Sequence, residues 1–353
     1  MRKGKFLVLL ITITVLFTTM FAACNNSNSK QNANEKIIKL RLNEVVRSLF
    51  YAPMYAAINQ GIFKEEGLEI DLSTGQGADK TMQQVISKNA DIGFCGPEQV
   101  IYLYNQGRDD YAVLFAQLTK RDGSFLVARK SDTNFKWENL KGKTIIGGRP
   151  AGVPEMTLEY ILRNHGLTIS YNDEKPSKDV NILTNLAFTA TAAAFKSGIG
   201  DYVALFEPTA TMLQDEGSGS ILASIGRDSG EIPYTCFFTT KSYMENNPQV
   251  VQKFTNAIYK GMIWVNTHSP EEISKSIKPF FAGSDEKQLV TVIKRYKEQD
   301  TWSKDLIFSE ESISKLQDVI QSYDSKLLTS RPPFNTIINN KFAKEADKNF
   351  NKK

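Results

Sequence analysis

Two successive series of alternating strand-like and helix-like runs constrain this chain more than any other feature. In the first, IIKLRLNE reads as a strand, APMYAAINQ as a helix closed by Gly61, and LEIDLS as a second strand. ADKTMQQVISKN then sets Met82, Val85 and Ile86 on one helical face, and ADIGFCG, QVIYLYNQ and YAVLFAQL continue as strand, helix and strand. A second series begins after SFLVARK. LKGKTIIGG is a strand entering a glycine loop, EMTLEYILRN a helix stopped by Gly166, VNIL a strand, TATAAAFKSG a helix stopped by Gly198, and YVALFEP and SILASIG further strands. Strands separated by helices are not joined by tight hairpins, so an α/β fold with mainly parallel sheets is expected. Two series of similar length predict two lobes.

From Asn247 onward the pattern turns helical. PQVVQKFTNAIYKGMIWVNTH carries Val250, Phe254, Ile258, Met262 and Val265 at helical spacing, and amphipathic runs follow at 270–281, 285–299 and 309–323. These helices are expected to pack back on the first lobe, so that the chain crosses between lobes near 122–128 and again near 232–239. The end, KEADKNFNKK, is basic and poor in aromatics and is expected to fray.

The amino end stands apart. MRKGK is a basic segment and FLVLLITITVLFTTMF an apolar one, 16 residues long and shorter than the ~20 needed to span a bilayer. It closes on FAAC, which resembles the lipobox of bacterial lipoproteins, with Phe21 where leucine is usual. The resemblance implies cleavage before Cys24 and a diacylglycerol thioether on that cysteine. NNSNSKQNANEK then reads as a flexible tether. The leader takes three of the 43 basic residues with it, leaving the rest nearly balanced against 39 acidic ones, so no nucleic-acid partner is called for.

Catalytic signals are thin. His165 and His268 sit at helix ends without acids or cysteines at metal-ligand spacing, and no Walker loop or nucleophile elbow is present. Cys95 and Cys236 read as two buried thiols, and spacing does not show whether they meet. Three glycine turns recur at carboxyl ends of strands: STGQGADK, GFCGPEQ and GGRPAGVPE. There the backbone can approach a ligand closely at a helix N-terminus, the usual binding edge of open α/β sheets.

FYAPMYAAINQGIFKEEGLEIDL, KNADIGFCGPE, WENLKGKTIIGG, ALFEPTA and IPYTCFFTTKSYMENNPQVVQKF together resemble a known family. It is the substrate-binding proteins of ABC importers in the group handling sulfonates, taurine, nitrate and thiamine-pyrimidine precursors. The likeness runs from about residue 38 to 325 and implies a type II periplasmic-binding-protein fold with a two-stranded hinge and a ligand closed between the lobes. The expected organisation is a signal peptide at 1–23, a tether at 24–36, a first lobe of 37–123 with 235–340, a second lobe of 124–234, and a frayed tail at 341–353. The implied partners are a small-molecule solute, an ABC permease with a separate ATPase, and the membrane through a lipid on Cys24. No cofactor, no metal and a monomer are expected. One enzymatic branch, a thiamine-pyrimidine synthase, carries a cysteine-rich cluster that this sequence lacks. A ligand-sensing lipoprotein is a further alternative.

By the family pattern, Ser48, Phe50, Tyr51 and Tyr55 line the cleft, with Gly77, Gly96 and Pro97 from the first lobe. Arg149, Gly152, Glu155, Thr189, Phe206 and Glu207 face them from the second, and Tyr234 stands on the return crossover. Arg149 and the loop before Glu155 suit an anion such as a sulfonate. Against that stand Glu98, Glu155 and Glu207, since carboxylates beside aromatic faces suit a nitrogen heterocycle. Glu98 and Glu155 also have a local use as first-turn residues favoured by the helix dipole, so Glu207, at the end of an apolar strand, counts most toward a thiamine-pyrimidine type of ligand, with an arginine partner as its alternative.

Overall fold

The computed structural model describes residues 37–351, so the expected signal peptide, the expected tether and Cys24 lie outside the described residues. The first series builds a five-stranded sheet from β1 (Ile38–Glu44), β2 (Leu68–Thr74), β3 (Ile92–Cys95) and β4 (Ala112–Thr119), joined by β11 (Thr235–Thr240), in the order β2-β1-β3-β11-β4. The second sheet holds β5 (Ser124–Ala128), β6 (Lys143–Ile146), β7 (Ile169–Tyr171), β8 (Val180–Leu183), β9 (Tyr202–Phe206) and β10 (Ser220–Ser224), in the order β10-β5-β9-β6-β8-β7.

Both sheets follow one plan. Strands that alternate with helices run parallel, whereas the strand arriving from the other sheet enters antiparallel: β11 between β3 and β4, and β5 between β9 and β10. Neither arriving strand, nor the short β7, is apparent from periodicity. In β5 and β11 every residue is buried, so no polar alternation marks them. The two crossovers, 120–123 and 225–234, lie side by side, with the Ile232 amide donating to the Lys120 carbonyl at 2.9 Å and the Tyr234 amide to that of Thr119 at 3.1 Å.

Local signals set the helix ends. Ser269 and Glu272 form a reciprocal capping box at the start of Pro270–Ile277, and Asp285 and Ser309 cap Glu286–Glu298 and Glu310–Tyr323. Two expectations need correction. The end of the chain is not frayed: Lys341–Phe350 is a helix that lays Phe342, Ala343 and Ala346 against the long helix Pro248–Thr267 and β4, with Tyr259 donating to Asp347 at 2.6 Å. Three small or aromatic apolar residues among charges were enough to bury one narrow stripe. Nor do all the late helices pack on the first sheet, because Glu310–Tyr323 packs on Val153–Asn164 of the second. An isolated bridge ties the chain to β4 on each side of that helix, at Trp302 and at Ile338, making it a strap between the sheets.

The larger apolar cluster runs through the first sheet and continues past Phe50 and Tyr234 to Phe125, Val153 and Leu205 of the second. A smaller cluster, including Trp137, Leu158 and Ile161, fills the far side of the second sheet. No helix among the described residues is long and apolar enough to cross a membrane.

Candidate functional site

The first cleft turn is made at the carboxyl end of β1. Ser48 is extended and its hydroxyl accepts the Phe50 amide at 3.3 Å, which starts the single turn Leu49–Tyr51 ahead of the helix Ala52–Asn59. The turn throws Phe50 across to the second sheet. Rings surround it at 5.3 Å (Tyr296), 5.6 Å (Tyr51), 5.7 Å (Tyr234) and 6.0 Å (Phe206), and it is 1% exposed. The first crossover presses on the same ring: a Cβ on Gly123 would lie 2.6 Å from its carbons, so only glycine fits. Trp302 donates to the Phe50 carbonyl at 2.9 Å. Phe50 is thus the packed hub at which the two sheets, a crossover and the helix Glu286–Glu298 meet.

Tyr51 rests edge-on against Phe94 at 4.6 Å, with its hydroxyl toward Thr235. Tyr55 is turned elsewhere. Its ring stacks on Phe280 at 4.7 Å, and its hydroxyl donates to Glu44 at 2.5 Å. Glu44 also accepts from Arg47 at 2.6 Å and Thr74 at 3.0 Å, yet burial pushes its carboxyl up from the ordinary range. No sequence motif singled out Glu44 or Arg47: their pair is local, three residues apart at the end of β1, and only the Thr74 partner comes from β2.

The three acids weighed from the sequence differ sharply. Glu207, 2% exposed, has both oxygens engaged: one by Arg295 and the Thr211 hydroxyl, the other by the Thr211 amide at 2.9 Å. The arginine alternative is the arrangement present. Glu155 turns inward, accepting the Gly148 amide at 2.5 Å and meeting Glu159 on its own helix. Glu98, 1% exposed, keeps Oε2 without a partner, while Gln99 donates to Oε1 at 3.2 Å. Gly96 makes room for it, because a Cβ there would lie 2.0 Å from that Oε2.

Burial raises the Glu98 carboxyl to about 7, and its charge acts on Tyr51, Tyr234, Cys95 and Cys236. Asp122 in the first crossover is likewise raised by burial, to about 6. Its Oδ1 accepts from Ser124, while its Oδ2 and the nearby Tyr234 hydroxyl are buried without a hydrogen-bond partner.

The remaining candidates form the mouth. Gly77 and Gly152 stand at the N-caps of Ala78–Ile86 and Val153–Asn164, and Pro97 at that of Glu98–Asn105. Exposed Arg149 bridges the sheets to Asp79 at 3.2 Å, and Tyr102 donates to the Ala151 carbonyl at 3.1 Å. Thr189 is exposed beside Phe188, whose ring meets Phe206 at 5.8 Å. The structure therefore gathers Phe50, Tyr51, Phe206, Tyr234 and the Gly96–Glu98 turn into one region. It places Tyr55, Glu155 and Glu207 with partners of their own.

His165 bonds Glu138 at 2.8 Å and His268 stacks on Trp264, both outside that region. Cys95 and Cys236 are free, buried and directly opposite in the β3–β11 ladder. Among the described residues no group of three or more His, Cys, Asp or Glu is arranged to hold a metal ion.

The profile of the family described as NMT1/THI5 like matches residues 50–273. YtlA of Bacillus subtilis (strain 168), named as a binding protein, is 42% identical over 311 residues, covering 88% of this chain and 90% of its own. Among solved structures, the periplasmic aliphatic sulphonate binding protein of Escherichia coli superposes with a TM-score of 0.67 at 16% identity, covering 86% of this chain and 98% of that one. The periplasmic nitrate-binding protein of Synechocystis PCC 6803 superposes with a TM-score of 0.66 at 14% identity, covering 90% of each. The fold is that of the periplasmic binding proteins.

Proposed function

The chain belongs to the NMT1/THI5-like family, and from that premise we propose that it is an extracytoplasmic solute-binding lipoprotein of an ABC importer. Residues 37–123 with 235–340 act as one lobe and 124–234 as the other, except that the helix Glu310–Tyr323 packs on the second and straps the two. The paired crossovers are the hinge, and the carboxyl-terminal helix extends the first lobe. A small organic solute is captured between the turns at 48–51, 75–77, 95–98 and 147–152 and handed to a permease served by a separate ATPase. A lipid on Cys24 would hold the protein, as a monomer, at the membrane. Closure follows only to the extent that the solute binds the closed arrangement better than the open one.

The observation that carries the choice of solute is the unpartnered, buried Oε2 of Glu98 beside the aromatic hub. A buried carboxylate repels an anion and accepts an N–H, which favours a nitrogen heterocycle of the thiamine-pyrimidine type. A sulfonate, taurine or nitrate is the second reading, supported by Arg149 and the helix start behind Gly152.

Thermal shift and calorimetry with thiamine, its pyrimidine precursors, taurine, alkanesulfonates and nitrate separate the two, because a ligand of the native state raises its stability by mass action. The expected ligand carries ring or amine N–H groups, and Glu98→Gln weakens its binding by about 1–3 kcal/mol. An anion that binds wild type and gains affinity in Glu98→Gln would establish the second reading instead.

A further inference from the structure

Glu155 and Glu159 lie one turn apart on the helix Val153–Asn164, both fully buried. Each carboxyl spends Oε2 on other partners: Glu155 on the Gly148 amide, Glu159 on Arg163 at 2.8 Å and Tyr171 at 2.7 Å. Each leaves a buried Oε1 without a hydrogen-bond partner, and at four residues' separation on one helix the two carboxyls face each other closely enough for Glu159 to raise Glu155. Two ionised carboxylates this close and this dry repel strongly, whereas one proton between them turns the repulsion into a hydrogen bond.

The groups facing the pair assign the proton. Among the described residues, Arg163 on the same helix is the one cation bonded to the pair. Tyr171 of β7 donates to Glu159, and Tyr323 of the strap helix, whose charge interacts with both carboxyls, stays neutral at ordinary pH because burial raises its hydroxyl. With two side-chain donors on Glu159 and a single amide on Glu155, the shared proton sits on Glu155, whose carboxyl is raised by burial and by Glu159.

We propose that Glu155 and Glu159 share one proton and act together as positioning residues for the glycine loop 147–152. That loop is one of the places where the second sheet reaches the first, through Arg149 to Asp79 and the Ala151 carbonyl to Tyr102. Glu155 holds its start at the Gly148 amide, and Gly147 passes so close that a Cβ would lie 2.3 Å from the Glu155 carboxyl. Ionising Glu155 strengthens its bond to the Gly148 amide but sets two buried negative charges together, and that repulsion drives the carboxyl out and with it the anchor. The consequence for solute capture rests on the solute-binding reading, but the proton sharing does not.

Amide exchange of residues 147–152 in the ligand-free full chain, wild type against Glu155→Gln, tests it. Glutamine keeps a donor toward Glu159 and an acceptor toward Gly148 at every pH. Taking the ratio of the two proteins at the same pH cancels base catalysis of exchange and the titration of Glu98 and Asp122. The ratio is expected near one below the ordinary carboxylate value, rising by up to about tenfold per pH unit between that value and the raised Glu155 value, and level above it. A ratio that stays flat from about pH 5 to pH 9 overturns the proposal. Should Glu155→Gln fail to fold, carboxyl carbon NMR of the wild type decides. One of the two glutamates must remain protonated above the ordinary carboxylate range, and two ordinary titrations sink the idea. A solute screen without hits would leave these readouts unaffected.

Discussion

Glu207 and Glu98 stand on opposite sides of the same aromatic hub, equally hidden from water, and in opposite electrostatic conditions. Glu207 ends β9 and meets Arg295, Thr211 and a backbone amide, so its charge is compensated at every lone pair that matters. Glu98 begins a helix on the other sheet and receives one weak side-chain donor, with Oε2 left bare. Burial by itself therefore does not mark a ligand contact. An acid buried with its partner belongs to the scaffold, and an acid buried without one holds binding capacity that a solute can use.

The largest effect should come from breaking the satisfied end. Arg295→Met leaves Glu207 buried and uncompensated and is expected to cost about 3–5 kcal/mol in denaturant unfolding. A loss below about 1 kcal/mol would mean that Glu207 finds another partner and that the contrast is false.

The unsatisfied end should respond with the opposite sign. The Glu98 carboxyl is raised from 4.5 to about 7, so the folded chain holds this proton more tightly than the unfolded one. The stability it contributes is complete below pH 4.5 and is lost as pH rises through about 7. Glu98→Gln should remove that decline and add up to about 3 kcal/mol above neutrality, read from unfolding midpoints across the pH range. An unchanged pH profile would show that water or a cation already serves Oε2.

Smaller effects sharpen the picture of the hub between them. Trp302→Phe removes the donor to the Phe50 carbonyl while keeping an aromatic ring, with an expected loss of about 1–3 kcal/mol. Stability equal to wild type would show that the hub is held by ring packing alone. Last, Arg149→Ala breaks an ion pair whose two side chains are about half exposed, and should change stability by no more than about 1 kcal/mol. If Arg149 instead contacts an anionic solute, calorimetry will show a much larger loss of affinity than of stability.

Much of this architecture was legible before any coordinates. IIKLRLNE, LEIDLS and VNIL announce strands, and the helix ends follow Gly166 and Ser269, because period and capping are decided within one or two turns of chain. TCFFTT gave no such sign, since a strand buried on both faces has no alternation to show. The site was legible only in part. The turn at Phe50 and Tyr51 falls where βα connections meet the other sheet. Nothing near Glu98 in sequence says that its carboxyl lacks a donor, and nothing near Glu207 says that it has one.

What the sequence alone determined is the alternation of most strands and helices, its doubling into two series and the turns at the strand ends, all products of local period and turn chemistry. Only the tertiary structure decided which buried charge is paired. Arg295 reaches Glu207 from 88 residues away, Asp79 reaches Arg149 between sheets, and Cys95 stands opposite Cys236 across a ladder closed by a strand that returns after the whole second sheet. Partners of that kind are chosen by the packing of whole elements against one another, which no window of the chain contains.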